Sequence, residues 1–390
     1  MNMEYRRLTD CAYYRNERTK QIDYETYITT DNMLPNRAGI TETESLPDAK
    51  TVSKYLPGDI LLSNIRPYFK KIWFSNREGG CSKDVLVVAS KPSVIPRFLY
   101  YVLSDDNFFN YDNVTSKGTK MPRGTPNAIM KYLFPKLEKD TQARIVSILS
   151  AYDNLVEVNN KRIMVLEQMA ENLYKEWFVR FRFPGHEAAV FENGMPKGWE
   201  RARISKYYIT SSGGTPSRET EEHYENGTIP WIKTGEMQDC LLIETEEKIT
   251  EEAVKKSSAK LFPKDSVLMA MYGVNIGKLA YSTMDATCNQ ACCVFKDRMG
   301  INTKHYLFHC LMSIRDYLLL ISFGAAQQNL SQDLIKRIRI LRPDDATLTA
   351  FERAIEPLYI ERKHLLGLNS KLIKQRDLLL PRLMSGRLEV

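Results

Sequence analysis

The feature that most constrains this chain is an internal duplication. Two segments separated by about 206 residues follow one another closely, and a period of that size means that one domain has been repeated. Leu56-Pro57-Gly58-Asp59-Ile60-Leu61-Leu62-Ser63 runs parallel to Phe262-Pro263-Lys264-Asp265-Ser266-Val267-Leu268-Met269. Each reads as a Pro-x-Asp turn leading into a short apolar strand. Cys81 then falls opposite Cys288, each before a β-rich stretch, Val85 to Val88 and Cys292 to Phe295. Pro96-Arg97-Phe98-Leu99-Tyr100-Tyr101 answers Thr303-Lys304-His305-Tyr306-Leu307-Phe308, both predicted to start a helix. A polar loop containing glycine follows in each half, Gly118 to Asn127 and Gly324 to Gln332. Each half closes on an apolar strand ending at Pro135 or Pro343.

Each proline is followed by a helical heptad seam. In the first, Ile145, Leu149, Tyr152, Val156, Asn159, Ile163, Leu166, Ala170, Leu173 and Trp177 recur at alternating spacings of four and three. In the second, the same spacing selects Phe351, Ile355, Leu358, Arg362, Leu365, Asn369, Leu372, Arg376, Leu379 and Leu383, with Pro357 expected to delay a clean start. Each seam spans roughly 50 Å and needs a partner helix. Paired antiparallel and end to end, Ile145 faces Leu383, Trp177 faces Phe351, and Asn159 meets Asn369. A buried Asn–Asn pair fixes register at some cost in stability, so replacing Asn159 with leucine should disturb that register. The alternative is that each polar seam residue simply faces solvent.

The expected fold class is α+β: two similar mixed α/β domains separated by two long helices that form an antiparallel coiled coil. The boundaries read as 1–136 for the first domain, 137–182 for the central helix, 183–194 for a linker, 195–343 for the second domain and 344–390 for the distal helix. The bulk properties agree with this division. The 390 residues exceed one ordinary domain, and the net charge of +7 is compatible with a polyanionic partner without proving one. The charged start MNMEYRRLTD has no apolar core of a secretory signal, and seven cysteines without framework spacing suit a reduced, cytoplasmic compartment.

Several stretches resemble one family. Leu166 to Phe178, reading LEQMAENLYKEWF, followed by Phe181-Arg182-Phe183-Pro184-Gly185, resembles the central helix of type I restriction-modification specificity subunits. Met195-Pro196-Lys197-Gly198-Trp199-Glu200 resembles the start of their target recognition domains, and Gly213-Gly214-Thr215-Pro216-Ser217 with Ile229-Pro230-Trp231-Ile232 resembles the segment that follows. Arg376 to Leu383 with Ser385-Gly386 resembles the end of the distal helix. The first domain departs from the pattern, having neither the Pro-x-Gly-Trp nor the Gly-Gly-Thr-Pro motif. The resemblance implies a DNA-binding subunit without catalytic residues, each domain reading one half of a bipartite double-stranded site. The helices would act as ruler and docking surface for two methyltransferase subunits, with nuclease–translocase subunits as an optional addition. S-adenosylmethionine, ATP and magnesium would belong to those partners, and this chain would hold no cofactor. If both domains approach one face of B-DNA, the half-sites lie roughly one turn, about 10 bp, apart.

Phosphate contacts need Lys, Arg, hydroxyls and backbone amides, whereas base readout needs Arg, Lys, Asn or Gln on positioned loops. The candidates in the first domain are Arg66, Lys70 and Lys71, interleaved with Tyr68, Phe69 and Trp73, and then Lys117, Lys120 and Arg123. In the second they are Thr215, Ser217, Arg218, Lys233 and Thr234, then Tyr272, Asn275, Lys278, Asn289 and Gln290. Gln327, Gln328 and Asn329 occupy the loop that answers Lys120. The plainer reading of each is a solvated loop residue.

Enzyme signals are weak. The chain contains no Pro-Pro, which the base-holding loop of an adenine methyltransferase requires. Gly273 to Leu279 imitates a phosphate-binding loop but is one residue short and lacks the hydroxyl for magnesium. Cys288, Cys292, His305 and His309 have zinc-finger spacing. The cysteines lie in a buried-strand pattern, however, and the first repeat has only Cys81, so no metal site is expected. The competing functions are a two-domain coiled-coil adaptor for protein, and a fragment of a fused restriction enzyme–methyltransferase.

Overall fold

The computed structural model describes residues 4–298, 300–322, 329–385 and 388. It divides into two compact units, Met1–Glu157 with Ser370–Val390, and Val158–Asn369. Among the described residues no helix is long and apolar enough to cross a membrane.

In the first unit the Pro57-Gly58-Asp59 turn works as its sequence suggests. Gly58 takes φ +89°, and the buried Asp59 carboxylate accepts the Leu56 N–H at 2.8 Å and the Arg15 guanidinium at 2.6 and 3.0 Å. The chain then enters Ile60–Ser63, whose four residues are all buried. A strand covered on both faces reads as a continuous apolar run. Ile60 and Leu62 pack with helix Pro96–Ser104, while Leu61 packs the other way against Ile28, Tyr55 and Cys81. The sheet order is Ala12–Tyr14, Val85–Ser90, Ile60–Ser63, Ile72–Phe74. A second sheet runs Arg18–Thr19, Val52–Tyr55, Gly79–Cys81, Tyr27–Ile28, and its last pair is parallel.

The second unit repeats this plan. Its central strand Ser266–Ala270 is wholly buried, with Val267 and Met269 packed with helix Lys304–Ser313 and Leu268 and Ala270 packed with Ile232, Cys288 and Cys292. The sheet order is Tyr208–Ser212, Cys292–Asp297, Ser266–Ala270, Leu279–Ser282, Cys240–Leu242. The accompanying sheet is Glu247–Ile249, Ile229–Ile232, Thr287–Cys288, again ending on a parallel pair. Each unit is closed by an antiparallel pair of its outermost strands, Tyr5–Arg7 with Leu133–Pro135, and Glu200–Arg203 with Arg339–Arg342.

Those closing strands lead directly into the long helices, Lys139–Tyr174, continued by a π turn Lys175–Val179, and Asp345–Met384. The second helix starts at Asp345 and runs through Pro357, which corrects the expectation of a delayed start. Phe351 and Ile355 are already fully buried before the proline is reached, and that packing outweighs the lost backbone hydrogen bond.

Within each unit the helix segments pair antiparallel. In the first, Ile145 and Leu149 share a core with Leu379, Leu380 and Leu383, and Arg376 binds Asp153 at 2.7 Å. In the second, Trp177 meets Phe351 with ring centroids 5.6 Å apart, and Arg162 binds Glu361 at 2.6 Å. Asn159 donates Nδ2 to Asn369 Oδ1 at 2.8 Å, and Asn369 donates to Asn160 Oδ1 at 2.8 Å. Of the remaining seam positions, Ile163, Leu365 and Leu372 are buried, and Tyr152, Val156, Leu166, Leu173 and Leu358 are half-buried. The polar members of the seam thus have protein partners: Asn369 has Asn159, Arg376 has Asp153, and the buried Arg362 has Glu167.

Candidate functional site

In each unit, loops far apart in sequence meet at the end of the parallel strand pair. In the second, Ile229–Ile232 and Thr287–Cys288 run side by side, so their continuations Lys233-Thr234 and Asn289-Gln290 emerge together. The Asn289 N–H donates to Ile232 O at 3.0 Å. Gly213-Gly214 crosses beneath them, with the Gly214 N–H on Cys288 O at 2.9 Å. Only glycine fits this crossing: a Cβ on Gly213 would lie 1.8 Å from Cys288 O, and one on Gly214 2.1 Å from Ser258 Oγ. The close approach carries Thr215 to Gln290, whose Oε1 accepts the Thr215 hydroxyl at 2.5 Å.

The hairpin loop 271–278 completes the cluster. Asn275 donates Nδ2 to Thr234 O at 2.7 Å, and Tyr272 forms a backbone bridge with Asn329. The loop imitates a phosphate-binding turn but leads into the strand Leu279–Ser282, with no helix N-terminus to hold an anion.

The first unit builds the same arrangement from different residues. Its hairpin loop 64–71 is bridged at Ile65 to Arg123, and Lys71 donates Nζ to Thr30 O at 2.6 Å. Thr30 follows the parallel strand Tyr27–Ile28, as Thr234 follows Ile229–Ile232. Lys117 and Arg123 exchange backbone hydrogen bonds at 2.9 Å, forming a narrow loop beside Arg66, whose N–H donates to Pro122 O at 2.8 Å. The candidates Arg66, Lys70, Lys71, Lys117, Lys120 and Arg123 therefore come from two neighbouring loops.

Most of the nominated cations are already engaged. Arg218 and Lys233 both bind Glu247, at 2.7 and 2.8 Å, and Lys233 also binds Glu246 at 2.9 Å. Burial pulls the Lys233 ammonium down, but hydrogen bonds to Glu247 and Glu246 more than offset this and raise it. The Arg218 guanidinium also lies over Tyr224 and Trp231, 4.3 and 5.0 Å from their centroids. Lys278 binds Asp239 at 3.1 Å, Lys70 binds Asp106 at 2.8 Å, and Arg123 binds Asp84 at 2.9 Å. Lys71 is half-buried, and that burial lowers its affinity for the proton. Lys117, Lys120, Ser217, Gln290 and Asn329 are exposed. Gln327 and Gln328 lie outside the described residues.

The carboxylates that hold these cations, Asp84, Asp106, Asp239 and Glu247, are absent from the residues nominated by sequence. The adjacent pairs Asp105-Asp106 and Glu246-Glu247 offered the only local signal, since each pairing is made across the fold. A further unforeseen group is Asp112, fully buried, with both carboxylate oxygens unpartnered among the described residues. Burial raises its pKa to about 7. A methyl group on Gly124 would lie 2.7 Å from Asp112 Oδ1 and 2.9 Å from Asn64 Oδ1, so the acid sits behind the roots of both loops.

The cysteines and histidines with finger-like spacing fall into two groups: Cys288 and Cys292 lie side by side, and the two histidines bind other partners. Cys292 Sγ contacts Asn289 Oδ1 at 3.2 Å and Met237 Sδ at 3.4 Å, whereas His305 Nδ1 binds Glu352 at 2.7 Å and His309 Nε2 meets the Tyr359 hydroxyl at 3.1 Å. Burial, with His305 and Arg362 nearby, holds the His309 imidazolium down to about 3, so this ring is neutral.

The sequence model of the type I restriction modification DNA specificity domain matches residues 3–168 and 196–347. The MjaIX type I restriction enzyme specificity subunit of Methanocaldococcus jannaschii is 26% identical over 316 residues, spanning 78% of this chain and 71% of the relative. The HindI specificity subunit of Haemophilus influenzae is 23% identical over 447 aligned residues, spanning 95% of this chain and 96% of the relative. Among solved structures, the S subunit of a type I restriction-modification system from M. genitalium shares the fold at a TM-score of 0.58 and 13% identity, covering 98% of this chain and 96% of its own. Two copies of one domain with the same loop framework, each matched by the same family model, make this chain a member of the type I restriction-modification DNA specificity family.

Proposed function

We propose that this chain is the non-catalytic specificity subunit of a type I restriction-modification complex, each unit reading one half of a bipartite DNA site. The observation that carries this is the duplicated loop framework. Bridges Ile65–Arg123 and Tyr272–Asn329, and side-chain ties Lys71–Thr30 and Asn275–Thr234, hold equivalent hairpins in both units while the residues they display differ. One scaffold with two sets of loop residues suits two different half-sites. The candidate contacts are the two loop clusters described above, with phosphates drawn to Lys117 and Lys120 and to cations that exchange a carboxylate for a phosphate.

The paired helices act as ruler and docking surface. Val158, Val165 and Met169 are exposed and lie on one face of the first helix at spacings of seven and four, an apolar stripe that suits a methyltransferase subunit. On this reading S-adenosylmethionine, ATP and magnesium reside on the partner subunits, and the complex works in the cytoplasm.

The test is co-expression with a type I methyltransferase subunit from the same genome, followed by mapping of methylated adenines. The expected result is a split motif, two short halves around a fixed gap, and exchange of residues 1–136 changes one half only. Methylation at one contiguous motif, or none, overturns the reading and favours a protein adaptor. DNA affinity of the complex that does not fall with salt points the same way, because phosphate contacts release counterions.

A further inference from the structure

The hairpin loop 271–278 closes tightly because Gly273 and Gly277 take φ +85° and +75°. The Ile276 N–H donates to Gly273 O at 3.2 Å, a β-turn with Val274 and Asn275 at its two central positions. The polar groups of this loop are held from behind. Asn275 is tied to Thr234 O, Lys278 to Asp239, and Tyr272 is bridged to Asn329. What the turn presents at its tip is Val274, with a relative exposure of 101%.

One exposed aliphatic residue is ordinary on a protein surface. Here it recurs. At the same place in the first unit, loop 64–71 presents Tyr68 and Phe69, 48% and 38% exposed, with their rings 4.7 Å apart. Cations accompany both loops. Arg66 and Lys71 lie 6.0 and 5.8 Å from the Phe69 centroid, and in the second unit Lys278 and Arg315 share Asp239 where loop 271–278 joins its strand. An apolar tip on a loop that also carries cations matches a polyanion that also offers an apolar group. On the edges of base pairs that group is the 5-methyl of thymine, in the major groove.

We infer that the two hairpin tips are apolar base contacts, Val274 in one half-site and Tyr68 with Phe69 in the other, each packing against a thymine methyl. The inference rests on the DNA-reading function proposed above and names the group that these loops read. It also shifts the reading role in loop 271–278 from Asn275, which holds the turn in place, to Val274. Removing one methyl from such a contact weakens binding by about fourfold.

The experiment uses the complex with its methyltransferase subunits and duplexes carrying the mapped site. Each thymine is replaced in turn by deoxyuridine, which deletes only the 5-methyl group. In the unmodified complex, one replacement in each half lowers affinity by about fourfold. Val274→Ala abolishes the penalty in one half and leaves the other intact, Val274→Thr retains part of it, and Phe69→Ala with Tyr68→Ala does the converse. The inference is overturned if no uracil penalty depends on Val274, or if a half-site has no thymine outside the methylated pair. The outcomes separate cleanly: absence of a split methylation motif refutes the DNA-reading function, whereas a split motif without a Val274-dependent thymine refutes only the tip contact.

Discussion

The Asn159–Asn369 pair gives the sharpest test of how the helices are held. Both side chains are buried, at 2% and 6% relative exposure, and they share one hydrogen bond of 2.8 Å. Asn159→Leu leaves Asn369 Oδ1 without its donor, although Asn369 keeps its bond to the exposed Asn160. Orphaning a buried amide costs about 1–3 kcal/mol. Asn369→Leu strands Asn159 Nδ2 in the same way and at a similar cost. The double leucine variant orphans neither group and extends the seam from Ile163 to Leu365, so its stability should return to that of the unmodified chain or exceed it. The coupling energy across the cycle is therefore about 2 kcal/mol or more. Urea unfolding followed by tryptophan fluorescence suits the measurement, since Trp177, Trp199 and Trp231, three of the four tryptophans, lie in the unit that holds both asparagines. Single variants within about 0.5 kcal/mol of the unmodified chain, with additive effects, would show that the pair contributes nothing specific.

Two further perturbations test the reading units. Asp112 has its folded pKa raised to about 7, so the fold favours the protonated acid: its stability is complete below the unfolded pKa and is lost as pH rises through the folded one. The loss between pH 4 and 7 is on the order of 4 kcal/mol if the whole shift is realised. Asp112→Asn should remove it, and denaturation curves at pH 5 and 8 that keep the same separation in the variant would sink this account. Gly213→Ala drives a methyl group to 1.8 Å from Cys288 O. It should destabilise the second unit by about 3 kcal/mol and lower methylation at both halves together, whereas an unchanged melting temperature would show that the crossing relaxes freely.

The sequence alone determined the plan of this protein, because that plan is written in short-range periods. The duplicated turn-and-strand at Pro57 and Pro263 is local. The heptad spacing, once counted, aligns Asn159 with Asn369 and Trp177 with Phe351, since register along a helix is a matter of counting turns. Tertiary structure decided what each loop residue is free to do. Lys233 and Lys120 look alike in sequence, yet Lys233 is held by Glu246 and Glu247 while Lys120 is exposed. Asn275 looks like a base reader but braces Thr234, and Val274 beside it projects from the turn. Pro357 reads as delaying the helix start and lies within a continuous helix because Phe351 and Ile355 are anchored in a core assembled from distant segments. Periodicity is encoded within a few residues and survives in the one-dimensional string; pairing, burial and exposure depend on which distant segments the fold brings together, and the string does not list those neighbours.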